Sequence, residues 1–133
     1  MREALDLARE AAAAGEVPVG CVIVRSGEIV GRGRNRREEK QATASHAEME
    51  AIAQANERLG TWRLADCELY VTLEPCPMCA GAILNARICR VWYGARDETF
   101  GGFFGSRLFN LPQFLLRLLH FLYPSNHDLH SLP

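Results

Sequence analysis

The sequence predicts an α/β fold in which helices cover both faces of a central mixed sheet. Two observations support this prediction: a strand hairpin follows the first helix, and further helices then alternate with apolar strands. The chain has 133 residues, of which 48% are hydrophobic and 23% charged, as in an ordinary globular protein. No repeat, linker or low-complexity stretch divides it, so we expect a single domain over residues 1–133.

The first third of the chain predicts a helix and a hairpin. Apolar residues recur at helical spacing from Arg2 to Ala14, and Gly15 is placed to end that helix. Two short apolar runs follow, at Val17–Val24 and Ile29–Arg34. The residues between them, Ser26-Gly27-Glu28, predict a tight turn that joins two antiparallel strands.

The central part of the chain predicts a loop and then alternating helices and strands. The loop is polar, and the two helices have clear ends, with a glycine closing the first and a proline opening the second. In chain order we predict a loop over Arg36–Ser45, a helix over His46–Leu59 closed by Gly60, a strand over Cys67–Leu73, a helix over Pro77–Ala86 and a strand over Arg90–Gly94.

A leucine-rich segment lies near the C-terminus. The run Leu111–Tyr123 is apolar around most of a helical circumference, with Pro112 in its first turn and Pro124 at its end. It is too short to cross a bilayer as a helix. We expect a helix that packs on the sheet and also meets a second chain, with a simple core helix as the alternative.

Two short strings carry the residues with the clearest chemistry. These are His46-Ala47-Glu48 and Pro75-Cys76-Pro77-Met78-Cys79. Two thiolates and one imidazole suit zinc, and three protein ligands leave a fourth position open for water. Glu48 stands two residues after the histidine, where it could exchange protons with that water. This order of residues is the signature of zinc deaminases, which act on nucleobases.

Each string alone would indicate much less. A Cys-x-x-Cys pair also occurs in redox sites and in structural zinc sites. A structural site would need a fourth ligand, and no candidate stands close in sequence to the first three. The remaining candidates are Cys67, Cys89, His120, His127 and His130.

Charge argues against a broadly basic nucleic-acid-binding surface. The net charge is −1 at pH 7, so any such surface must be local. The best candidate is a run of basic residues, which Glu38 and Glu39 partly offset, so that an ordinary solvated surface is the alternative. The run consists of Arg32, Arg34, Arg36, Arg37 and Lys40, with Arg96 and Arg107 as further candidates.

Cysteine usage and hydropathy indicate the compartment. Cys21, Cys67 and Cys89 stand in apolar runs, where we expect them to be small buried residues rather than disulfide partners. There is no apolar run long enough to span a membrane and no signal peptide. These features predict a cytoplasmic protein without a membrane partner.

The chain closely resembles the bacterial tRNA-specific adenosine deaminases of the TadA type. The resemblance runs from about residue 2 to residue 97 and is most specific at Thr72-Leu73-Glu74-Pro75-Cys76-Pro77-Met78-Cys79-Ala80-Gly81. Other matching segments are Gly15–Gly20, Asn35, His46–Glu48, Thr61–Leu64, Leu69–Ala82 and Tyr93–Asp97.

The resemblance implies a fold, an activity and a set of partners. The fold is the cytidine deaminase-like three-layer α/β/α sandwich, with one zinc ion per chain held by His46, Cys76 and Cys79. The activity is hydrolysis of the wobble adenosine of a tRNA anticodon stem-loop to inosine by a homodimer. Glu48 is then the catalytic proton shuttle.

The resemblance also implies which residues contact the substrate. The expected contacts are Val17, Asn35, Ala47, Pro75 and Asp97, of which Asn35 and the backbone around Ala47 hold the edge of the base. The alternative for Asn35 is a turn residue that ends the second strand. After Asp97 the sequence departs from the family pattern, because Phe103 and Phe104 interrupt its glycine-rich loop.

Three other functions share part of this evidence. A deaminase of free guanine, cytosine or a nucleotide would carry the same zinc strings. A non-catalytic partner subunit of a deaminase could dispense with Glu48, which this chain retains. A zinc-stabilised nucleic-acid module would have a closed metal site.

Overall fold

The computed structural model describes residues 1–101. The helix expected over Leu111–Tyr123, and Arg107, His120, His127 and His130, therefore lie outside the described residues. The elements in chain order are α1 (Arg2–Ala13), β1 (Gly20–Arg25), β2 (Glu28–Arg34), α2 (Arg37–Lys40), α3 (Ala47–Leu59), β3 (Cys67–Leu73), α4 (Pro77–Asn85) and β4 (Arg90–Ala95).

The four strands form one mixed sheet in the order β2-β1-β3-β4. Strand β1 pairs antiparallel with both β2 and β3, whereas β3 and β4 are parallel. The parallel pair is joined by α4, as a crossover between parallel strands requires. The predicted mixed sheet is confirmed.

Helices cover both faces of this sheet. A Cβ atom at Gly20 of β1 would lie 2.6 Å from the backbone nitrogen of Ala8, so α1 packs closely on that face. A Cβ atom at Gly33 of β2 would lie 2.6 Å from the backbone nitrogen of Ala51 in α3. Because successive residues of a strand point to opposite faces, and Gly20 pairs with Arg34 while Cys21 pairs with Gly33, the two helices lie on opposite sides.

The main core lies between the sheet and the pair α3 and α4. Ile23, Leu69, Val71 and Ile83 are each buried to 2% exposure or less and belong to one hydrophobic cluster. Full burial of an aliphatic side chain of this size contributes about 1.5–3 kcal/mol. This core holds the N-terminal ends of α3 and α4 in fixed positions.

The hairpin forms as predicted, with a later start to β1. Ser26 and Gly27 have positive φ angles of 49° and 79°, which match the two-residue turn favoured between antiparallel strands. Strand β1 begins at Gly20 rather than at Val17. Pro18 has no N–H to donate, and the N–H of Val19 bonds to the carbonyl of Val17 at 2.8 Å, so the chain turns before pairing begins.

The prediction of a loop over Arg36–Ser45 was wrong in part, because it contains the short helix α2. The buried carboxylate of Glu16 accepts the backbone N–H groups of Glu38 and Glu39 at 3.2 and 2.7 Å. Asn35 Oδ1 accepts the N–H of Arg37 at 3.2 Å. These side chains satisfy the first N–H groups of the helix, so α2 depends on a partner about twenty residues earlier.

The cysteines are all free, as expected. Cys21 and Cys67 are buried, whereas Cys89 is exposed, so its predicted burial was wrong. Cys89 precedes the edge strand β4, and its thiol donates to the carbonyl of Cys67 at 3.1 Å. Within residues 1–101, no helix is long and apolar enough to cross a membrane.

Candidate active site

The three predicted metal ligands lie at the N-terminal ends of two helices. His46 is the N-cap residue of α3 and Cys76 is the N-cap residue of α4, both with extended backbone angles. Cys79 lies in the first turn of α4, which Pro77 begins. The positive end of a helix dipole favours an ionised thiolate, so this placement suits metal-binding cysteines.

The three side chains converge on one point. His46 Nδ1 lies 3.6 Å from Cys76 Sγ and 3.5 Å from Cys79 Sγ. The three ligand atoms all lie within 4.8 Å of one another, so the group could hold a metal ion. Neither Cys67 nor Cys89 belongs to this group.

The protein atoms alone bias Cys76 towards its metal-binding thiolate, but they favour the protonated forms of Cys79 and His46. The Cys79 thiol donates to Cys76 and, together with a weaker effect of His46, lowers the pKa of the Cys76 thiol to about 4. The same hydrogen bond, together with burial, raises the pKa of Cys79. The hydrogen bond with Cys76 raises the pKa of His46.

Glu48 is buried beside the ligands and is not one of them. It is 4% exposed, and burial raises the pKa of its carboxyl group. His46 lies close enough to lower that pKa in part. A buried carboxyl next to a metal-binding group is the arrangement that proton transfer to and from a bound water requires.

His46, Cys76 and Glu48 line one cavity of about 450 Å³. This volume lies within the range of small-molecule sites in proteins. The cavity brings together most of the residues singled out from the sequence: Val17, Asn35, His46, Ala47, Glu48, Cys76 and Asp97. Pro75 does not line it, since its side chain is fully buried between its neighbours.

Asn35 is buried at the edge of this cavity. It is 6% exposed, and its Oδ1 accepts the backbone N–H of Arg37. Asn35 directly follows β2 and supports a turn, as its alternative role predicted, and it also lines the cavity, whereas its contact with a base stays a prediction. The bond through Oδ1 fixes the amide orientation, so that Nδ2 carries the donors.

Sequence reasoning assigned no cavity role to several other lining residues. These are Val19, Arg37, Leu73, Glu74, Pro77 and Phe100. The sequence offered a signal for three of them. Leu73 and Glu74 directly precede the string Pro75–Cys79, and Pro77 lies within it, so they could have been predicted to line the cavity. Phe100 comes after the part of the chain that resembles the family, and only the fold places it at the cavity.

A set of hydrogen bonds ties the segment after β4 to the cysteine string. Glu74 is 3% exposed, and its Oε2 accepts the backbone N–H of Asp97 at 3.0 Å. Asp97 Oδ1 in turn accepts the N–H groups of Thr99 and Phe100, both at 2.9 Å. The turn that carries Phe100 is therefore fixed relative to Cys76.

The predicted basic run is largely neutralised by acidic neighbours. Arg32 pairs with Glu3 at 2.8 Å, and Lys40 pairs with Glu50 at 2.8 Å. Arg34 and Arg36 both pair with Glu39, at 3.1 and 2.8 Å.

Arg37 differs from these four cations. Among residues 1–101 no carboxylate lies within ion-pair distance of its guanidinium, and the residue lines the cavity that holds His46. The positive charge of Arg37 also lowers the pKa of His46 in part, which places it within electrostatic reach of the site. Arg37 is thus the cation of the run that remains available to a substrate at the cavity.

Comparisons with known proteins agree with this geometry. The family model described as MafB19-like deaminase matches residues 1–127. A tRNA-specific adenosine deaminase of Streptococcus pyogenes serotype M18 is 55% identical over 102 residues, which cover 77% of this chain and 64% of that protein. A structure from a study of A-to-I editing by tRNA:A34 deaminases is 48% identical with a TM-score of 0.75, and the match covers 76% of this chain and 73% of that one.

The chain belongs to the tRNA-specific adenosine deaminase family. The mixed sheet with its helices is therefore the cytidine deaminase-like fold that the resemblance implied. Three residues of the deaminase signature, His46, Glu48 and Cys76, line one cavity, and Cys79 groups with His46 and Cys76.

Two comparisons concern the length of the family members and the bases for which similar proteins are named. The chain spans 64% of the length of the streptococcal family member. The structure of a guanine deaminase from Bacillus subtilis is 44% identical with a TM-score of 0.69, and the match covers 71% of this chain and 61% of that one. The deaminase fold is thus shared by proteins named for different bases.

Proposed function

We propose that this chain hydrolyses adenosine to inosine at the wobble position of a tRNA anticodon. The observation that carries the proposal is the cavity that His46, Cys76 and the buried Glu48 line, together with the grouping of Cys79 with His46 and Cys76. The names of the similar proteins supply the substrate, since two of them are described as tRNA adenosine deaminases.

We propose zinc as the metal, at one ion per chain. Zinc–sulfur and zinc–nitrogen bonds of about 2.3 and 2.0–2.1 Å in a tetrahedron imply a sulfur–nitrogen separation of about 3.5–3.6 Å. The two separations at His46 Nδ1 are 3.6 and 3.5 Å, so the donor set fits without rearrangement. When bound, zinc supplies the Lewis acidity that makes water a nucleophile near neutral pH.

Glu48 is the residue placed to move protons. Two other carboxylates among the described residues line the cavity, but Glu74 and Asp97 accept backbone N–H groups and hold the turn after β4. In the proposed reaction Glu48 takes a proton from water and delivers it to N1 of adenine as the water oxygen bonds to C6. It then transfers the second proton to the departing amine as the bond between C6 and that nitrogen breaks.

The walls of the cavity support recognition of a base. The Nδ2 group of Asn35 can donate to an acceptor on the base edge, because its Oδ1 is held by Arg37. Ala47 begins α3, where a backbone N–H has no partner within the helix. Val17 and Asp97 also line the cavity, whereas Pro75 is fully buried and does not.

The substrate in this proposal is a single-stranded loop. Anticodon bases are unpaired, so a target base can enter a cavity without the cost of opening a duplex. Arg37 is the described cation best placed to meet a backbone phosphate, since the other members of the run are paired with carboxylates.

Two further parts of the proposal concern the state of the protein. We propose a homodimer, as the family resemblance implies, and Met78 beside the metal ligands is 37% exposed, as an apolar residue in an interface would be in the separate chain. We propose a cytoplasmic location, which the five free cysteines support. Light scattering measures the oligomeric state, and cell fractionation measures the location.

A free guanine deaminase is the second candidate, because the Bacillus subtilis enzyme of that name shares the fold at 44% identity. The experiment that separates them incubates zinc-loaded protein with an anticodon stem-loop bearing a wobble adenosine, and in parallel with guanine, cytosine and free adenosine. The proposal is supported if inosine forms in the stem-loop and none of the three free compounds is converted. Turnover of guanine without inosine would replace it with the second candidate, and turnover of cytosine without inosine would indicate a deaminase of that free base.

The two non-enzymatic alternatives predict other results in the same experiment. A partner subunit without activity of its own would convert none of the four substrates. A zinc-stabilised nucleic-acid module would also bind zinc through a fourth protein ligand, which X-ray absorption at the zinc edge detects.

A further inference from the structure

Phe100 is an exposed aromatic side chain at the mouth of the cavity. It is 69% exposed and lines the cavity that holds Glu48, which is 4% exposed. The contrast places Glu48 at the floor and Phe100 at the rim. Val17, 53% exposed, is a second apolar side chain of the lining. A lone exposed phenylalanine elsewhere on a surface would need no explanation.

The backbone that carries Phe100 is held firmly. The N–H of Phe100 donates to Asp97 Oδ1, and the N–H of Gly101 donates to the carbonyl of Asp97, both at 2.9 Å. The N–H of Asp97 donates to the buried carboxylate of Glu74, two residues before Cys76. The position of Phe100 is therefore linked to the metal-binding string through a continuous set of hydrogen bonds.

Gly101 adds a steric reason for this placement. It is buried, and a Cβ atom there would lie 2.5 Å from the carboxylate of Glu74, closer than real contacts allow. The chain can pass this close to Glu74 because residue 101 is glycine. The exposed aromatic residue and the buried glycine that follows it thus form one tight turn at the rim.

We propose that Phe100 is a base-stacking subsite for a nucleotide adjacent to the target adenosine. This inference rests on the proposed function, because it requires a polynucleotide substrate whose target base lies near Glu48. When one base of a single strand enters the cavity, its neighbour remains at the rim, where Phe100 lies. Aromatic side chains bind unpaired bases by stacking, with little dependence on sequence.

The test is a thermodynamic cycle between Phe100 and the RNA. All proteins carry Glu48→Ala so that the substrate is not converted, and binding of the anticodon stem-loop is measured by fluorescence anisotropy. Phe100→Leu is compared with the parent on the intact loop and on loops with an abasic site at each position flanking the target. Phe100→Tyr keeps the ring, and Trp62→Leu removes an aromatic residue that is 56% exposed and lies outside the cavity.

A stacking contact predicts a specific pattern of affinities. Phe100→Leu weakens binding by roughly tenfold, within the range known for base–aromatic stacks. An abasic site at one flanking position lowers the affinity of the parent protein by a similar factor. Phe100→Leu then lowers the affinity for that abasic loop little further, because the stacking contact is already absent. Phe100→Tyr retains this coupling, and Trp62→Leu shows none. Zinc content and the thermal midpoint of each variant check that the fold is intact.

Two results would overturn the inference. One is unchanged affinity on Phe100→Leu. The other is a loss that multiplies with the abasic loss at every flanking position, since a purely structural role would weaken all loops alike. The inference and the proposed function fail separately. If the protein with intact Glu48 forms inosine but Phe100→Leu shows no coupling to any abasic site, only the stacking subsite is wrong. If the coupling is present but no inosine forms, only the proposed reaction is wrong.

Discussion

The carboxylate of Glu16 accepts the backbone N–H of Glu39, 23 residues later in the chain, at a distance of 2.7 Å. With its second bond, to the N–H of Glu38, it acts as a buried cap for α2. This helix begins at Arg37, the cation that lines the cavity. Glu16, in the loop after α1, therefore helps to position a residue that we expect to meet the substrate.

Glu16→Ala should destabilise the protein. The change leaves two backbone N–H groups without their acceptor, and loss of a helix cap costs about 0.5–2 kcal/mol. Chemical denaturation measures the free energy of unfolding. Glu10→Ala, which removes an exposed carboxylate from α1, should change it by less than about 0.5 kcal/mol. If Glu16→Ala and Glu10→Ala change the free energy of unfolding equally, Glu16 does not stabilise α2 as a cap.

Gly33→Ala should destabilise the protein and weaken metal binding. A Cβ atom there would meet the carbonyl of Ala47 and lie 2.6 Å from the nitrogen of Ala51, so α3 would have to move away from the sheet. Such overpacking costs about 1–3 kcal/mol. Because His46 and Glu48 stand at this end of α3, zinc affinity measured by chelator competition should fall as well.

Gly81→Ala is the matched control for that substitution. Gly81 lies within α4, and a Cβ atom there would have nothing within 4 Å. Replacing a helical glycine with alanine should therefore raise the free energy of unfolding by about 0.5–1 kcal/mol. If both alanines stabilise the protein, the close approach of α3 to β2 is not required.

Arg37→Gln should weaken RNA binding and flatten its dependence on salt. The loss of one phosphate contact to a single strand lowers the slope of log affinity against log salt by about 0.7. Arg36→Gln makes the same change in charge, but Arg36 is paired with Glu39 at 2.8 Å, so we expect a smaller change in slope. The slopes come from fluorescence anisotropy of the stem-loop over a range of salt concentrations.

If Arg37→Gln and Arg36→Gln flatten the salt dependence of RNA binding equally, the ion pair of Arg36 with Glu39 does not prevent Arg36 from contacting RNA. If neither changes it, the whole run is an ordinary solvated surface.

The group of three residues that could hold a metal could be predicted from the sequence, because metal-binding chemistry fixes residue type and local spacing. His46 and the pair Cys76 and Cys79 stand at starts of helices that are visible as patterns in the chain. The strand β3 was predicted with the bounds that the structure has, since it is apolar and ends at clear turn signals.

The features that could not be predicted depend on partners distant in sequence. Helix α2 is four residues long and capped by Glu16, so no local pattern indicates it. The ion pairs of the basic run involve Glu3 and Glu50, which come from α1 and α3. Phe100 reaches the cavity through the bonds between Asp97 and Glu74, and neither residue indicates this pairing by type or spacing.

Removal of one predicted metal ligand should abolish zinc binding and activity together. Cys76→Ala and His46→Ala each delete a donor from the group of three, so zinc content and activity should be lost together. Atomic emission gives the zinc content per chain. Full zinc occupancy in either variant would show that the ion binds elsewhere.

The most direct test of the central claim measures inosine and zinc together in Glu48→Ala. Glu48 lines the cavity but does not belong to the ligand group, so the variant should keep about one zinc per chain. Inosine formation in the anticodon stem-loop should fall by about 10²–10⁴-fold or more, because the proton shuttle is absent. A zinc-loaded variant that retains substantial deamination would contradict the account.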